Sequence, residues 1–588
     1  MLALRAAAHL PLRYAARSIT MSTAGLVHSR DASPIPGPAT KRPRLESPNI
    51  VDMDVVIEPS TVAQTLADEI PADLQQSAAP EKRPQGAKKG GAKKFKRPPP
   101  PEPGSADDVS WFDVVALLGK DAVDAAVAAN SDYTAPVKFG DEFELTVDVL
   151  SSNGEALARL PASHPPWVVK IPFCLPGERV RVKVIKNARL ASSADLLEVL
   201  EANNELRDDS RVKCQYFGKC AGCQYQMLSY EKQLETKATV VGKAYENYSS
   251  KRYSPQMSRP CCPTMPSPLQ YNYRTKITPH FDAPPANRTN RGGRQRQKKD
   301  RDSDWQLAIG FEVKGRGQIL DIEECPIATQ TLNDALTPAR TMVQSEIQNY
   351  KKSATLLLRD SLEAFSEDPT TQPEKHICIS DHKAVVRERV GSHIFEFPAG
   401  SFFQNNNAIL PSLTAYVRDA IFTPGLLEDA TPTHLVDAYC GSGLFSITLA
   451  NAFETVVGVE IDEKSIKAAR ANALLNGLPE SRCAFTAGTA SAIFESVGAF
   501  PPARTAVVID PPRKGCDEQF LGQLLAFRPA TLVYVSCNVH TQARDVGVLV
   551  NRTRDDGEGR RYQMESLRGF DLFPQTAHVE SVAVLRLM

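Results

Sequence analysis

Apolar and polar residues alternate in three short runs, Phe143-Glu-Leu-Thr-Val-Asp-Val-Leu150, Trp167-Val-Val-Lys-Ile171 and Val180-Arg-Val-Lys-Val-Ile185. Turn residues separate them, and Pro176-Gly-Glu178 precedes the third. Residues 131–204 are therefore expected to form a small β-barrel of the oligonucleotide-binding kind. Toward the C-terminus the alternation gives way to continuous apolar runs. Those ending at Asp437, Glu460, Asp510 and Ser536 read as buried strands, and stretches beginning at Phe445 and Asp462 read as helices. That succession predicts an α/β, doubly wound unit over 399–588. Residues 205–398 lie between the two patterns as a central domain.

Composition changes the picture mainly ahead of the barrel. With 588 residues and 42% hydrophobic content, the chain is long enough for more than one core. Residues 31–130, rich in Pro, Ala, Lys and Gly, carry few large apolar groups and are expected to be mostly disordered. Residues 1–30 hold Arg5, Arg13, Arg17 and Arg30 and no acid, the composition of a mitochondrial transit peptide or of a plain disordered tail. A start at Met21 would delete most of that segment. It would leave Lys41-Arg-Pro-Arg44 and Lys93-Lys-Phe-Lys-Arg97 as nuclear signals or RNA contacts, so a dual mitochondrial and nuclear or cytoplasmic distribution is expected. A basic insertion at 284–304 reads either as a loop that touches phosphates or as a tolerated surface insertion. The 69 basic and 69 acidic residues cancel, so nucleic-acid binding has to come from local patches. No run of about eighteen apolar residues is present to cross a membrane.

Twelve cysteines without a secretory signal point to reduced thiols, metal binding or catalysis. Cys214, Cys220 and Cys223 form a C-x5-C-x2-C array whose glycines let the backbone fold tightly round one centre, and Cys325 is the candidate fourth ligand. Zinc would also satisfy four thiolates. The spacing is not that of radical enzymes that cleave S-adenosylmethionine.

Three strand ends carry the catalytic chemistry. After Leu435-Val-Asp437, Gly441 and Gly443 let the backbone pass close to a nucleotide-type cofactor before a helix begins. Glu460, one crossover later, is placed to bind ribose hydroxyls or is an ordinary strand-end acid. Asp510-Pro-Pro-Arg513 resembles the Asp/Asn-Pro-Pro-aromatic loop of enzymes that methylate exocyclic amines, with Arg513 where the aromatic would stack on the base. Amine methylation is thereby disfavoured, and attack at a ring carbon is favoured because Cys537 lies one strand later. Uracil C5 is too weak a nucleophile to take a methyl group directly, but addition of a thiolate at C6 makes it enolate-like. The pocket must therefore lower the thiol pKa or take its proton on attack. The C5 proton must then leave, and Thr576-Ala-His-Val-Glu580 supplies Glu580, with His578 as the competing base.

Further signatures join these. They are Gly310-Phe-Glu-Val313, Asp321-Ile-Glu-Glu-Cys-Pro-Ile327, Phe402-Phe-Gln404-Asn-Asn406, Tyr439-Cys-Gly-Ser-Gly443, Ser536-Cys-Asn538, Phe573-Pro574 and His578-Val-Glu580. In combination they make the chain similar to the RNA (uracil-5-)-methyltransferases of the RumA/TrmA type, and within them to the eukaryotic tRNA members. The similarity runs from about 133 to 588. The resemblance implies an S-adenosylmethionine-dependent methyltransferase fold and makes the barrel a TRAM-like RNA-binding domain. It implies Cys537 as nucleophile and Glu580 as proton acceptor, with Gln404, Tyr439, Glu460 and Asp510 lining the S-adenosylmethionine site beside Gly441. It also implies a 4Fe-4S cluster on Cys214, Cys220, Cys223 and Cys325. The implied partner is tRNA, whose T-arm uridine 54 would be flipped out and methylated at C5. Ribosomal RNA is the alternative substrate, and a non-catalytic RNA-binding or chaperone protein is the rival from another class. No obligatory protein partner is evident. Two positions depart from the family pattern: Val539 stands where proline usually follows Ser-Cys-Asn, and Leu444 where many members have asparagine.

Overall fold

Seven strands organise the C-terminal part of the chain in the computed structural model, which describes residues 97–249, 263–285, 305–364, 374–423, 431–488, 497–555 and 559–588. They are β1 (His434–Ala438), β2 (Thr455–Glu460), β3 (Cys483–Ala487), β4 (Thr505–Ile509), β5 (Thr531–Ser536), β6 (Tyr562–Phe570) and β7 (Glu580–Leu587). Their spatial order is β3-β2-β1-β4-β5-β7-β6. β1 to β5 run parallel, while β7 enters antiparallel between β5 and β6. β4 and β5 are buried along their whole length and almost wholly apolar because both faces of the sheet are covered. Leu435, Val508, Val533 and Val535 face one layer, built from the helices Leu410–Ile421, Leu444–Leu449 and Glu463–Leu475. Val436, Val507, Ile509, Leu532 and Tyr534 face the other, built from the helices Tyr230–Tyr248, Glu518–Phe527 and Val539–Asp555.

Two segments expected in the central domain belong to this core. The helix Tyr230–Tyr248 buries Val240, Val241, Ala244 and Tyr245 against the second face. The hairpin Val385–Val390 and His393–Pro398 sends Val386, Val390, Phe395 and Phe397 into the first. A boundary at 398 therefore cuts through one hydrophobic core. The remainder of the central segment builds a four-stranded and a three-stranded sheet, against which the helix Gln330–Glu346 buries Leu332, Leu336 and Ala339.

Toward the N-terminus the three alternating runs become part of a six-stranded sheet. Its spatial order is Glu142–Thr146, Arg179–Ala188, Ala191–Glu201, Val168–Ile171, Ala156–Arg159, Val149–Leu150. Val180, Val182 and Val184 point inward while the arginines and lysine between them pair with acids outside. The expectation of a disordered stretch to residue 130 fails in its last part. Ala106–Leu118 and Lys120–Ala128 are helices, and Val114 and Val123 complete the core of the six-stranded sheet. Ser105 caps the first helix through its hydroxyl, so local chemistry outweighed the alanine-rich, low-hydrophobicity composition. The transit-peptide expectation, Met21, Lys41-Arg-Pro-Arg44 and most of the basic insertion lie outside the described residues. Among the described residues no helix is long and apolar enough to cross a membrane.

Candidate active site

The loop after β1 is held in an unusual backbone geometry by a carboxylate beneath it. Tyr439, Gly441 and Gly443 all have positive φ, at 64°, 54° and 93°. For Tyr439 this is a strained conformation that surrounding contacts must hold, and its ring packs edge-on against Phe520 at 5.5 Å. Asp437 is fully buried and accepts from the Ser446 backbone N–H at 2.8 Å and its hydroxyl at 2.6 Å. Burial pushes the Asp437 carboxyl up to about 7. Asn472 Nδ2 holds the Ser442 carbonyl at 3.1 Å. Asp437, Ser446 and Asn472 thus shape the loop without having been singled out by sequence reasoning. The available signal was an acid one residue short of a strand end, ahead of a glycine loop.

Gly441 and Glu460 come together here. The Gly441 N–H donates to Glu460 Oε2 at 3.2 Å, while Glu460 Oε1 accepts from Ile461 and Asp462 N–H groups at 2.8 and 3.1 Å. A Cβ built on Gly441 would meet no atom within 4 Å. Open space beside a glycine backbone, bordered by a carboxylate with lone pairs to spare, fits a ribose-bearing cofactor. Gln404 is buried in a segment braced against the approach to β7: Asn406 Nδ2 donates to Ser267 Oγ at 3.0 Å and to the Leu572 carbonyl at 3.1 Å.

Register brings two candidate groups together. β5 and β7 pair antiparallel with Ser536 opposite Ser581, so one step further along the same register sets Cys537 opposite Glu580. Cys537 is half-buried, and its thiol is pushed up to about 12 by burial and by the neighbouring Glu580 and Asp510 carboxyls, with Arg513 opposing. Glu580 is 3% exposed, and burial together with Asp510 pushes its carboxyl up to about 8. Asp510 rises to about 7, chiefly from burial. Arg513 therefore supplies a cation to a neighbourhood of three acidic groups, which an aromatic residue could not do. His578 moves the other way, down to about 3, through burial and the nearby Arg513 and Lys237 cations. An imidazole so resistant to protonation is a weak base, which separates it from Glu580.

The four cysteines lie in one neighbourhood. Burial pushes the Cys223 thiol up to about 12, with Cys325, Cys214 and Cys220 each adding to the shift. Yet among the described residues no three His, Cys, Asp or Glu side chains converge as a metal-binding group, so the expected four-thiol centre is not assembled. Each segment is set by its own hydrogen bonds. Cys214 N–H donates to Gln226 Oε1 at 3.1 Å, Ala221 N–H to the Glu312 carbonyl at 2.9 Å, and Cys325 N–H to Asn333 Oδ1 at 2.9 Å. The donor set itself, four thiols from two distant segments, fits an iron–sulfur cluster or zinc in its chemistry. The loop also braces the segment that leads to Glu580: Gln224 and Tyr225 N–H groups donate to the Gln575 carbonyl at 2.8 and 3.0 Å, five residues before it.

Known proteins resemble this chain over most of its length. Residues 374–587 match the family model of tRNA (Uracil-5-)-methyltransferases. The chain is 44% identical over 528 residues to a tRNA (uracil(54)-C(5))-methyltransferase of Schizosaccharomyces pombe, covering 90% of this chain and 91% of that one. It is 39% identical over 518 residues to the Saccharomyces cerevisiae protein of the same name, covering 81% and 77%. The crystal structure of Pyrococcus abyssi tRNA (uracil-54, C5)-methyltransferase in complex with S-adenosyl-L-homocysteine superposes with a TM-score of 0.51 at 21% identity, over 75% of this chain and 100% of that one. That likeness establishes the S-adenosylmethionine-dependent methyltransferase fold.

Proposed function

This chain belongs to the tRNA (uracil-5-)-methyltransferase family, and from that premise we propose that it methylates C5 of uridine 54 in tRNA through a covalent adduct on Cys537. The observation that carries the reading is the β5–β7 register, which sets Cys537 opposite Glu580 beside Asp510 and Arg513.

Cys537 Sγ adds to C6 of the flipped-out uracil and passes its proton to the neighbouring Asp510 carboxylate on attack, since burial beside carboxyl groups keeps the free thiol protonated. The electron pair displaced to C5 forms the new carbon–carbon bond. Bound S-adenosylmethionine would supply the electrophilic methyl group, and Gln404, Tyr439, Gly441, Glu460 and Asp510 are the residues proposed to hold it. Glu580 then takes the C5 proton, and the electrons of that C–H bond expel the Cys537 thiolate from C6. Arg513 steadies the negative charge carried by thiolate and carboxylates in turn.

The six-stranded sheet at 142–201 is read as a TRAM-like RNA-binding barrel, supported by its short strands and its exposed basic positions. Cys214, Cys220, Cys223 and Cys325 are read as the holders of a 4Fe-4S cluster or of zinc, supported by the donor set and its proximity. Delivery to two compartments through Met21 rests on the composition of residues 1–44 alone.

Incubation with 5-fluorouridine-substituted tRNA and S-adenosylmethionine tests the core of this reading, because fluorine at C5 cannot be abstracted. A gel-stable protein–tRNA complex that Cys537→Ala abolishes is the expected result. Adduct on ribosomal RNA alone would overturn the substrate, and no adduct on either RNA would overturn the mechanism.

A further inference from the structure

The nucleophile loop is held from outside the catalytic unit. Residues 97–105 run into the helix Ala106–Leu118, and Gly104 lies on the first turn of the helix Val539–Asp555, which begins two residues after Cys537. Gly104 is buried there with φ 78°. Its carbonyl accepts from Asn538 Nδ2 at 3.1 Å, and the same amide nitrogen donates to the Arg513 carbonyl at 2.9 Å. Asn538 Oδ1 accepts the His540 N–H at 3.2 Å. One side chain, adjacent to the nucleophile, therefore ties together the N-terminal arm, the Asp510-to-Arg513 loop and the start of the following helix.

We propose that this arm is a positioning element for the reaction: Gly104, acting through Asn538, fixes Cys537 and Arg513 relative to one another. The inference rests on Cys537 being the nucleophile. Its first support is the closeness of the contact, since a Cβ on residue 104 would sit 2.6 Å from Thr541 Cγ2 and 3.3 Å from the Thr541 backbone nitrogen. Its second is that the arm is anchored on its own side. Gly104 N–H donates to Asp108 Oδ2 at 2.9 Å, and the Tyr248 hydroxyl donates to the same oxygen at 2.6 Å. Tyr248 then packs edge-on against Phe112 at 5.0 Å and His540 at 5.5 Å.

Thiol addition to a ring carbon depends steeply on placement, and a misplacement of about 1 Å costs on the order of 10²-fold in rate. The test uses the full chain with 5-fluorouridine-substituted tRNA and S-adenosylmethionine, comparing single-turnover adduct formation with tRNA affinity. Gly104→Val should slow adduct formation by roughly tenfold to hundredfold with tRNA Kd unchanged. Iodoacetamide alkylation of Cys537 at a fixed pH of about 8 should slow, because the hydrogen-bonding Arg513 is no longer held beside the thiol. Asp108→Ala, which frees the arm without adding bulk, should act in the same direction and keeps the test decisive if Gly104→Val fails to fold. Lys120→Ala, exposed on the next helix, should react at the wild-type rate. Wild-type adduct rates in Asp108→Ala and in folded Gly104→Val overturn the inference. So does a loss of tRNA affinity that accounts for the slower reaction, which would make the arm an RNA contact. Absence of adduct in the wild type would instead refute the nucleophile assignment.

Discussion

Lys237 and Asp571 form an ion pair with both side chains fully excluded from solvent, joining the helix Tyr230–Tyr248 to the segment that leads into β7. Lys237 Nζ also donates to the Phe573 carbonyl at 2.9 Å. Removing one partner strands the other charge in the interior. Lys237→Ala should therefore lower unfolding stability by about 3–5 kcal/mol, read from urea denaturation. Lys237→Met combined with Asp571→Leu should recover part of it. A single variant as stable as wild type would show that the pair is not sealed.

Glu580 is assigned the last proton transfer and not the addition. With ordinary tRNA, Glu580→Gln should methylate once and then stall, leaving methylated RNA attached to Cys537 as a complex that survives denaturing gels. Turnover should fall by roughly 10²- to 10⁴-fold. Turnover at wild-type rate without trapped complex would move the base elsewhere.

The buried acids also set a pH dependence. Folded Glu580 is raised to about 8, and Asp510 and Asp437 to about 7, above their unfolded values. The folded state thus binds more protons, so their contribution to stability is fully present below about pH 4 and is lost as pH rises through about 7 to 8. Thermal midpoints should fall across that window, and less steeply in Glu580→Gln. Activity should run the opposite way, rising toward about pH 8, since the base must be ionised to act. A stability profile with the same slope in wild type and variant would contradict the burial argument.

Glu460 accepts the Gly441 N–H and is the acid proposed to bind the cofactor ribose. Glu460→Ala should weaken S-adenosylhomocysteine binding by roughly tenfold or more by calorimetry, as expected for a lost charge-assisted hydrogen bond. Its effect on adduct formation at saturating cofactor should be small. Unchanged affinity would reduce Glu460 to a strand-end acid.

Protein purified without oxygen should carry iron and acid-labile sulfide that Cys223→Ser loses. Loss of the centre should also lower the thermal midpoint, because the same loop holds Gln575 ahead of β7. Zinc without sulfide would select the alternative, and neither metal would remove the centre from this protein.

The catalytic sheet was legible in the sequence because its strands are buried on both faces. Continuous apolar runs ending in Asp437, Glu460, Asp510 and Ser536 can hardly be anything else, and the loops after them carry the chemistry. Local signals also exposed Gly441, whose freedom the loop requires. Relations between distant segments emerged only on folding. The β5–β7 register sets Cys537 against Glu580 across 43 residues of chain, and no periodicity encodes a register. The helix Tyr230–Tyr248 was assigned to the central domain because amphipathic spacing tells that a face is buried but not against what. The two helices of 106–128 carry a local cap at Ser105, but Val114, Val123 and Asp113 find their partners in distant segments, which the leader's composition does not reveal. The order of residues sets which types stand at each strand end and hence the class of reaction. Folding decided their electrostatics and mutual placement, because burial and charge proximity are properties of the assembled core and not of any segment.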